Sequence, residues 1–323
     1  MRQCNQQDLF VDFNARIAPR LTQVLRPIKL LKSPSQLNPT FIDLFCGIGG
    51  FHLAFHDAGA SCVFASELDE SARKTYKHNF SKISPEIVNS ENFAGDITLV
   101  DPKKIPDFDV LCAGFPCQPF SQAGFKKGFN ETRGTLFFNI VNILNEKKPA
   151  AFFLENVRHL LKHDDGMTFQ TIKRTLEDLG YSFFYKIAKA SDYGLPQHRP
   201  RLFMVGFKNK EIDFKFPNPV PLKYTLSDVL GGECKKEIGF TLRVGGRGSG
   251  IDDRRNWDAY LVDGKVKKIG SKEGLKMQGF PDDFEFPVGE AQAMKQLGNS
   301  VAVPAIQMVA VEIIKKLKEH GKK

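Results

Sequence analysis

Gly114-Phe115-Pro116-Cys117-Gln118-Pro119-Phe120-Ser121 contains the residue best suited to attack a substrate. Prolines at 116 and 119 remove two backbone donors and stiffen the chain around the Cys117 thiol. A rigid, exposed thiol suits a nucleophile. The usual fate of cysteine is burial as a small hydrophobe, which fits Cys62 and Cys112 inside apolar runs. Glu155, in Glu155-Asn156-Val157, supplies a carboxyl that in a dry pocket holds a proton and hands it to a ring nitrogen. Its plainer role is a carboxylate at a helix N-terminus. Gln197-His198-Arg199-Pro200-Arg201 spaces two arginines by one residue, so on extended chain they point the same way, toward a phosphate or a base, or simply into solvent. The histidines show no ligand spacing, no C-x-x-C pair suggests zinc, and no metal is expected.

These side chains need elements to carry them. Strand candidates run at Phe41–Phe45, Cys62–Ser66, Phe108–Cys112, Ala151–Leu154, Phe183–Ala188 and Arg201–Phe207, with helical patterns at 51–58, 136–146 and 168–179. Strands separated by helices predict an α/β fold with a doubly wound, mostly parallel sheet. Cys117 and Glu155 then follow neighbouring strands at their carboxyl ends, the edge where such sheets bind ligands. Residues 1–38 read as a lead-in whose apolar Ile17, Leu21, Val24, Leu25 and Ile28 lie near helical spacing, closed by a linker at 33–39. The catalytic and cofactor-binding domain is expected over 39–210 and 286–323, with a small second domain at 211–285. The final residues, with Val303, Ile306, Val309, Ala310, Ile313, Ile314 and Leu317, read as an amphipathic helix.

The first strand ends in Cys46-Gly47-Ile48-Gly49-Gly50, a glycine-rich turn before a helix. Small residues there let a nucleotide approach the backbone, or serve tight packing alone. Glu67, at the end of the next strand candidate, is placed to accept from ribose hydroxyls. NAD and S-adenosylmethionine both fit this pattern. The G-x-G-G spelling departs from the dinucleotide spacing, and Asp43 lies inside the strand; both favour the methyl donor. Asp96, in Gly95-Asp96-Ile97, either meets an adenine amino group or is a solvated turn carboxylate.

The chain has 323 residues and a net charge of +9, an excess suited to a polyanion. No apolar run is expected to span a bilayer, and no signal-peptide core follows Met1. Scattered cysteines fit a reducing, cytoplasmic setting. Residues 235–276 hold eleven basic and six acidic residues, either a basic face for DNA or a solvated loop.

Taken in order, these pieces resemble the DNA cytosine-5 methyltransferase family of the bacterial restriction–modification type. Phe41–Gly50 resembles its cofactor loop, Gly114–Ser121 its Pro-Cys-Gln loop, Glu155-Asn156-Val157 its Glu-Asn-Val triplet, Gln197–Arg201 its Gln-x-Arg-x-Arg element and Gly298–Pro304 its C-terminal element. The likeness runs from about residue 40 to the end. It implies that Cys117 adds to cytosine C6, that Glu155 serves N3, and that Arg201 and Arg199 hold the base. It implies a pocket for S-adenosyl-L-methionine, leaving S-adenosyl-L-homocysteine, formed by Phe41, Asp43, Gly47, Gly49, Gly50, Glu67, Leu68, Asp96, Ile97, Gly114, Pro116, Leu136, Asn299 and Ser300. Gln118, Ser121, Arg243, Arg247, Arg254 and Arg255 would meet double-stranded DNA. A monomer in a bacterial cytoplasm is expected, with a cognate endonuclease that shares the target without binding the enzyme.

The sequence departs from the family pattern at Cys46, where alanine or serine is common, and at Lys272-Glu273, where an Arg-Glu pair is common. The stretch after Phe207 is short for a target-recognition region. An RNA cytosine methyltransferase would carry Cys-Phe-Thr, and an amino-methyltransferase a Pro-Pro-aromatic loop; neither occurs. A dehydrogenase leaves Cys117 and Glu155 unexplained. A catalytically silent DNA-binding relative would have no use for them either.

Overall fold

The computed structural model describes residues 38–116, 136–245 and 248–321. The chain runs β1 (Thr40–Leu44), α1 (Gly50–Asp57), β2 (Ser61–Ser66), α2 (Glu70–Phe80), β3 (Phe93–Ala94), β4 (Val110–Gly114), α3 (Leu136–Lys147), β5 (Ala151–Val157), α4 (Met167–Asp178), β6 (Phe184–Lys189) and β7 (Pro200–Phe207). It continues through α5 (Leu226–Leu230), β8 (Ala259–Val262), β9 (Lys265–Lys268), α6 (Ser271–Gln278), α7 (Glu290–Asn299) and α8 (Val303–His320).

Alternation along the strands builds two cores. Phe41, Val110, Cys112, Ala151 and Phe153 face one side of the sheet, while Ile42, Leu44, Leu111, Ala113, Phe152 and Leu154 face the other. A strand buried on both faces reads as an unbroken apolar run, and helices must cover both sides. Residues of α1, α2 and α8 close the first face; those of α3 and α4 close the second. The seven-stranded sheet has the order β3-β2-β1-β4-β5-β7-β6. Strands β1 to β5 pair in parallel, whereas β7 is antiparallel to both β5 and β6. The expected doubly wound, mostly parallel sheet is present. Its one reversed strand brings the start of β7 to the edge where β4 and β5 end.

The sequence reading has no helix at 70–80. Most of α2 is polar, and it holds to the sheet through Ala72, Tyr76 and Phe80, spaced four apart, with Asp69 capping its start by accepting from the N–H groups of Ser71 and Ala72. Residues 211–285, expected as a separate small domain, contribute Ile212, Phe214, Leu226, Trp257, Tyr260 and Met277 to the same core that α8 packs in. Residues 290–320 are long and apolar enough to cross a bilayer by length and composition alone, with a mean hydropathy of 1.6 in the richest window. That stretch is α7 and α8, and 72% of the window is buried in the protein, which accounts for its composition.

Candidate active site

Parallel pairing sets Gly114 beside Glu155 where β4 and β5 end, and antiparallel pairing sets Val157 beside Arg201 where β7 begins. Strand β5 runs through Val157, past the expected end at Leu154, so Glu155 belongs to the strand and not to a helix N-terminus. Its Oε1 accepts from Arg201 Nε at 2.9 Å, and little of either side chain is exposed. Burial pushes the Glu155 carboxyl above the ordinary carboxylate range, while the charges of Arg201 and Arg199 pull it back. Burial thus favours the protonated carboxyl and the two guanidinium groups the ionised one.

Next along β5, Asn156 is buried and donates through Nδ2 to the Phe115 carbonyl at 2.9 Å, while its Oδ1 accepts from Val157 N–H. That bond fixes the backbone two residues before Cys117 to the strand that carries Glu155. Cys117 itself, with Gln118, Ser121 and Arg247, lies outside the described residues.

A cavity of about 460 Å³ opens at this edge, lined by Phe45, Gly47, Glu67, Leu68, Gly114, Pro116, Leu136, Glu155, Asn156, Arg199, Arg201, Lys295 and Asn299 among others. A groove of about 790 Å³ beside α2, α6 and α7 is larger, but Glu155, Asn156, Arg199 and Arg201 are not among its lining residues. The turn that shapes the cavity needs backbone that most residues resist. Phe45, Gly47 and Gly49 have φ of 56°, 56° and 85°, and a methyl on Gly49 would strike the Phe80 ring. Glu67 ties the turn down, accepting from Gly47 N–H at 2.8 Å and from Asp69 N–H at 2.8 Å. Leu68 beside it is 69% exposed, an apolar side chain on the cavity wall without cover.

Ten of the residues named from sequence line this cavity: Gly47, Glu67, Leu68, Gly114, Pro116, Leu136, Asn299, Glu155, Arg199 and Arg201. Others named for the pocket lie elsewhere. Phe41 is fully buried against Phe55 and His52, because its side chain points from β1 into the first core. The aromatic on the cavity wall is Phe45, four residues on, at the strand's carboxyl end; position along the strand was the signal that separates the two. Asp43 lies beneath the turn, buried, with Oδ2 accepting from His52 N–H at 3.2 Å in the first turn of α1. Gly50 and Ser300 pack against each other behind the wall. Asp96 caps the turn Ile97–Leu99 by accepting from Thr98, and Ile97 is core.

Arg199 is not aimed at solvent as Arg201's twin. It is buried, and its guanidinium donates to the carbonyls of Leu242, Gly298 and Ser300. Those bonds answer the burial that presses its pKa below the usual guanidinium range. Its two terminal nitrogens therefore have protein acceptors already, while its Nε has none among the described residues. Arg243 and Arg254 are exposed, and Arg255 is held in a two-point pair by Asp253.

The match that decides the family covers residues 39–243 and 245–315, under the description C-5 cytosine-specific DNA methylase. The chain belongs to that family.

This methylase is 44% identical over 312 residues to the Type II methyltransferase M.SsoII of Shigella sonnei, covering 85% of this chain and 80% of that protein. It is 43% identical to M.NlaX of Neisseria lactamica, covering 84% and 95%, and 38% identical to M.HhaI of Haemophilus parahaemolyticus, covering 84% and 93%. Among solved structures, a mutant DNMT2 of Spodoptera frugiperda superposes with a TM-score of 0.65 at 20% identity, over 87% of this chain and 100% of the other. A putative DNA modification methyltransferase from an E. coli prophage superposes at 0.67 with 21% identity, over 87% and 100%. At such identities these two show a shared fold.

Proposed function

We propose that this methylase transfers a methyl group from S-adenosylmethionine to C5 of a cytosine flipped out of double-stranded DNA, through a covalent bond from Cys117 to C6. The observation that carries the reading is the Glu155–Arg201 pair, at 2.9 Å on the wall of the cavity that Gly114 and Pro116 also line, one residue before Cys117. The cavity suits the methyl donor. Its volume of about 460 Å³ lies in the range of small-molecule sites, Phe45 and exposed Leu68 offer apolar cover for a flat base, and Glu67 is an acceptor for ribose hydroxyls. When bound, the donor supplies an electrophilic methyl on sulfonium.

The protein's part begins with a proton. Cytosine C5 is a weak nucleophile, so the Cys117 thiolate adds first to C6, and the electron pair displaced from the C5–C6 bond moves into the ring. Glu155 meets that charge at N3 by giving or sharing its proton. Arg201 holds Glu155 and the base edge in register. C5 then takes the methyl, loses its proton to solvent, and the sulfur leaves as C5–C6 re-forms. Extruding the base costs a few kcal/mol, offset by contacts on the DNA side from Gln118, Ser121, Arg243, Arg247, Arg254 and Arg255. Arg255, paired with Asp253, contributes less than its neighbours. Residues 211–285 read the target sequence. The same reading makes the protein the modification half of a restriction–modification pair, acting as a monomer in a bacterial cytoplasm beside an endonuclease with the same target.

Bisulfite sequencing of duplex DNA treated with the protein and S-adenosylmethionine tests this directly. Protected cytosines at one recurring sequence are expected, and their loss in Cys117→Ser. Full protection by Cys117→Ser would remove the covalent step; no protection by the intact protein would remove the activity.

A further inference from the structure

Arg199 makes three donations that join two stretches far apart in sequence. Nη1 reaches the Leu242 carbonyl at 3.1 Å, and Nη2 reaches Gly298 O at 3.0 Å and also Ser300 O. Leu242 immediately precedes exposed Arg243; Gly298 and Ser300 flank Asn299 on the cavity wall. Gln197 doubles the first hold, accepting from Leu242 N–H at 3.2 Å and donating to Met277 O at 3.1 Å. The two stretches also touch directly. A methyl group on Gly298 would lie 2.6 Å from the Arg243 carbonyl carbon and 2.7 Å from Val244 N.

A buried guanidinium answered by carbonyls tolerates little partial loosening. Withdrawing one acceptor leaves a desolvated charge short of a partner, so the remaining contacts must shift to compensate. Movement of Leu242 when DNA engages Arg243 is therefore felt at Gly298 and Ser300, on both sides of Asn299. The reverse holds as well, because a coupling between two sites is reciprocal.

We propose that Arg199 is a positioning residue that couples binding of target DNA to binding of the cofactor. Engagement of either ligand stabilises the one arrangement of the Leu242 and Asn299 segments that the other needs. The inference rests on the reading above, in which Asn299 lines the cofactor site and Arg243 meets DNA.

The test is the affinity for S-adenosylhomocysteine, measured by calorimetry with and without a saturating duplex that carries the cytosine found protected by bisulfite. In the intact protein the duplex is expected to tighten that affinity about five-fold or more, with the same factor returned when the order of titration is reversed. Arg199→Lys keeps the charge but not the fork, and Arg199→Met keeps neither; in both the factor should fall toward one. Gln197→Met, which frees Leu242 N–H and Met277 O but leaves the Arg199 bonds to Gly298 and Ser300 in place, should give an intermediate value, and it carries the test if the Arg199 variants do not fold by circular dichroism. Arg201→Ala should lose methyl transfer yet keep the factor. If Arg199→Lys weakens both ligands in parallel and keeps the factor, Arg199 is merely structural and the proposal fails. Binding of both ligands to the intact protein without coupling also overturns it, while leaving the functional reading standing. Failure of the intact protein to bind either ligand overturns both.

Discussion

Arg201 and Glu155 are diagonal neighbours on strands that run in opposite directions, the Nε of one donating to Oε1 of the other at 2.9 Å. The pair fixes the direction of a pH response. Burial raises the Glu155 pKa, and of the two neighbouring guanidinium charges Arg201 does more to lower it again. Removing Arg201 raises it further. If protonated Glu155 is the acting form, the fall in kcat/KM at alkaline pH should move to higher pH in Arg201→Met, even as the rate drops. A limb that moves down, or stays, would contradict the proton-donor role.

The same carboxyl makes stability depend on pH. A carboxyl whose folded pKa lies above its unfolded value stabilises the fold at pH below the unfolded value, and that contribution is lost as pH rises through the folded one. Arg201→Met should therefore melt at lower temperature than the intact protein at alkaline pH, with the gap narrowing as pH falls below the ordinary carboxylate range. Thermal melts across that range check it.

Replacing the carboxyl itself separates chemistry from binding. Glu155→Gln should cut kcat by about 10²–10⁴-fold, the usual worth of a positioned proton donor. Affinity for S-adenosylhomocysteine should change little, as Glu67, Phe45 and Leu68 form a different part of the cavity wall.

Phe41 and Phe45 give opposite phenotypes. Phe41→Ala empties a fully buried site, and about 3–5 kcal/mol of stability should go with it. Folded molecules should still bind cofactor. Phe45→Ala should do the converse, weakening cofactor binding with a small change in melting temperature. Calorimetry and thermal denaturation on the two proteins decide between them.

DNA binding should weaken steeply with salt. Arg243→Ala is expected to lower the slope of log K against log salt by about 0.9. Arg255→Ala should lower it less, because Asp253 already pairs that side chain.

Much of the fold and part of the site were legible. The parallel strands are continuous apolar runs, so burial on both faces was written into β1, β4 and β5, and glycine spelling marked the turn after β1. The reversal of β7 was not legible, because an interior strand buried on both faces reads as the same continuous apolar run whether it pairs parallel or antiparallel. The hairpin of β8 and β9 had a signal in Asp263-Gly264, whose φ values of 47° and 74° are those of a tight two-residue turn, but its outer strand is all lysine and valine and shows no buried face. Phe41, Asp43 and Ser300 are buried and are not among the residues that line the cavity: motif position alone does not say which way a side chain points. Arg199 is the clearest case. Its spacing from Arg201 was read correctly, but its fate depends on carbonyls more than forty residues away in sequence.

The reversed strand has a further consequence for how such a protein can vary. Because β7 starts beside the cavity and ends at Phe207, opposite the first residue of β5, the chain leaves the sheet on the side remote from the chemistry. Residues added or removed just past Phe207 need not disturb the pairing that seats Arg201 against Glu155, whereas one residue gained within β7 ahead of that pairing would turn every side chain to the wrong face. The segment that follows the sheet can thus change in length while the Arg201–Glu155 contact stays as it is.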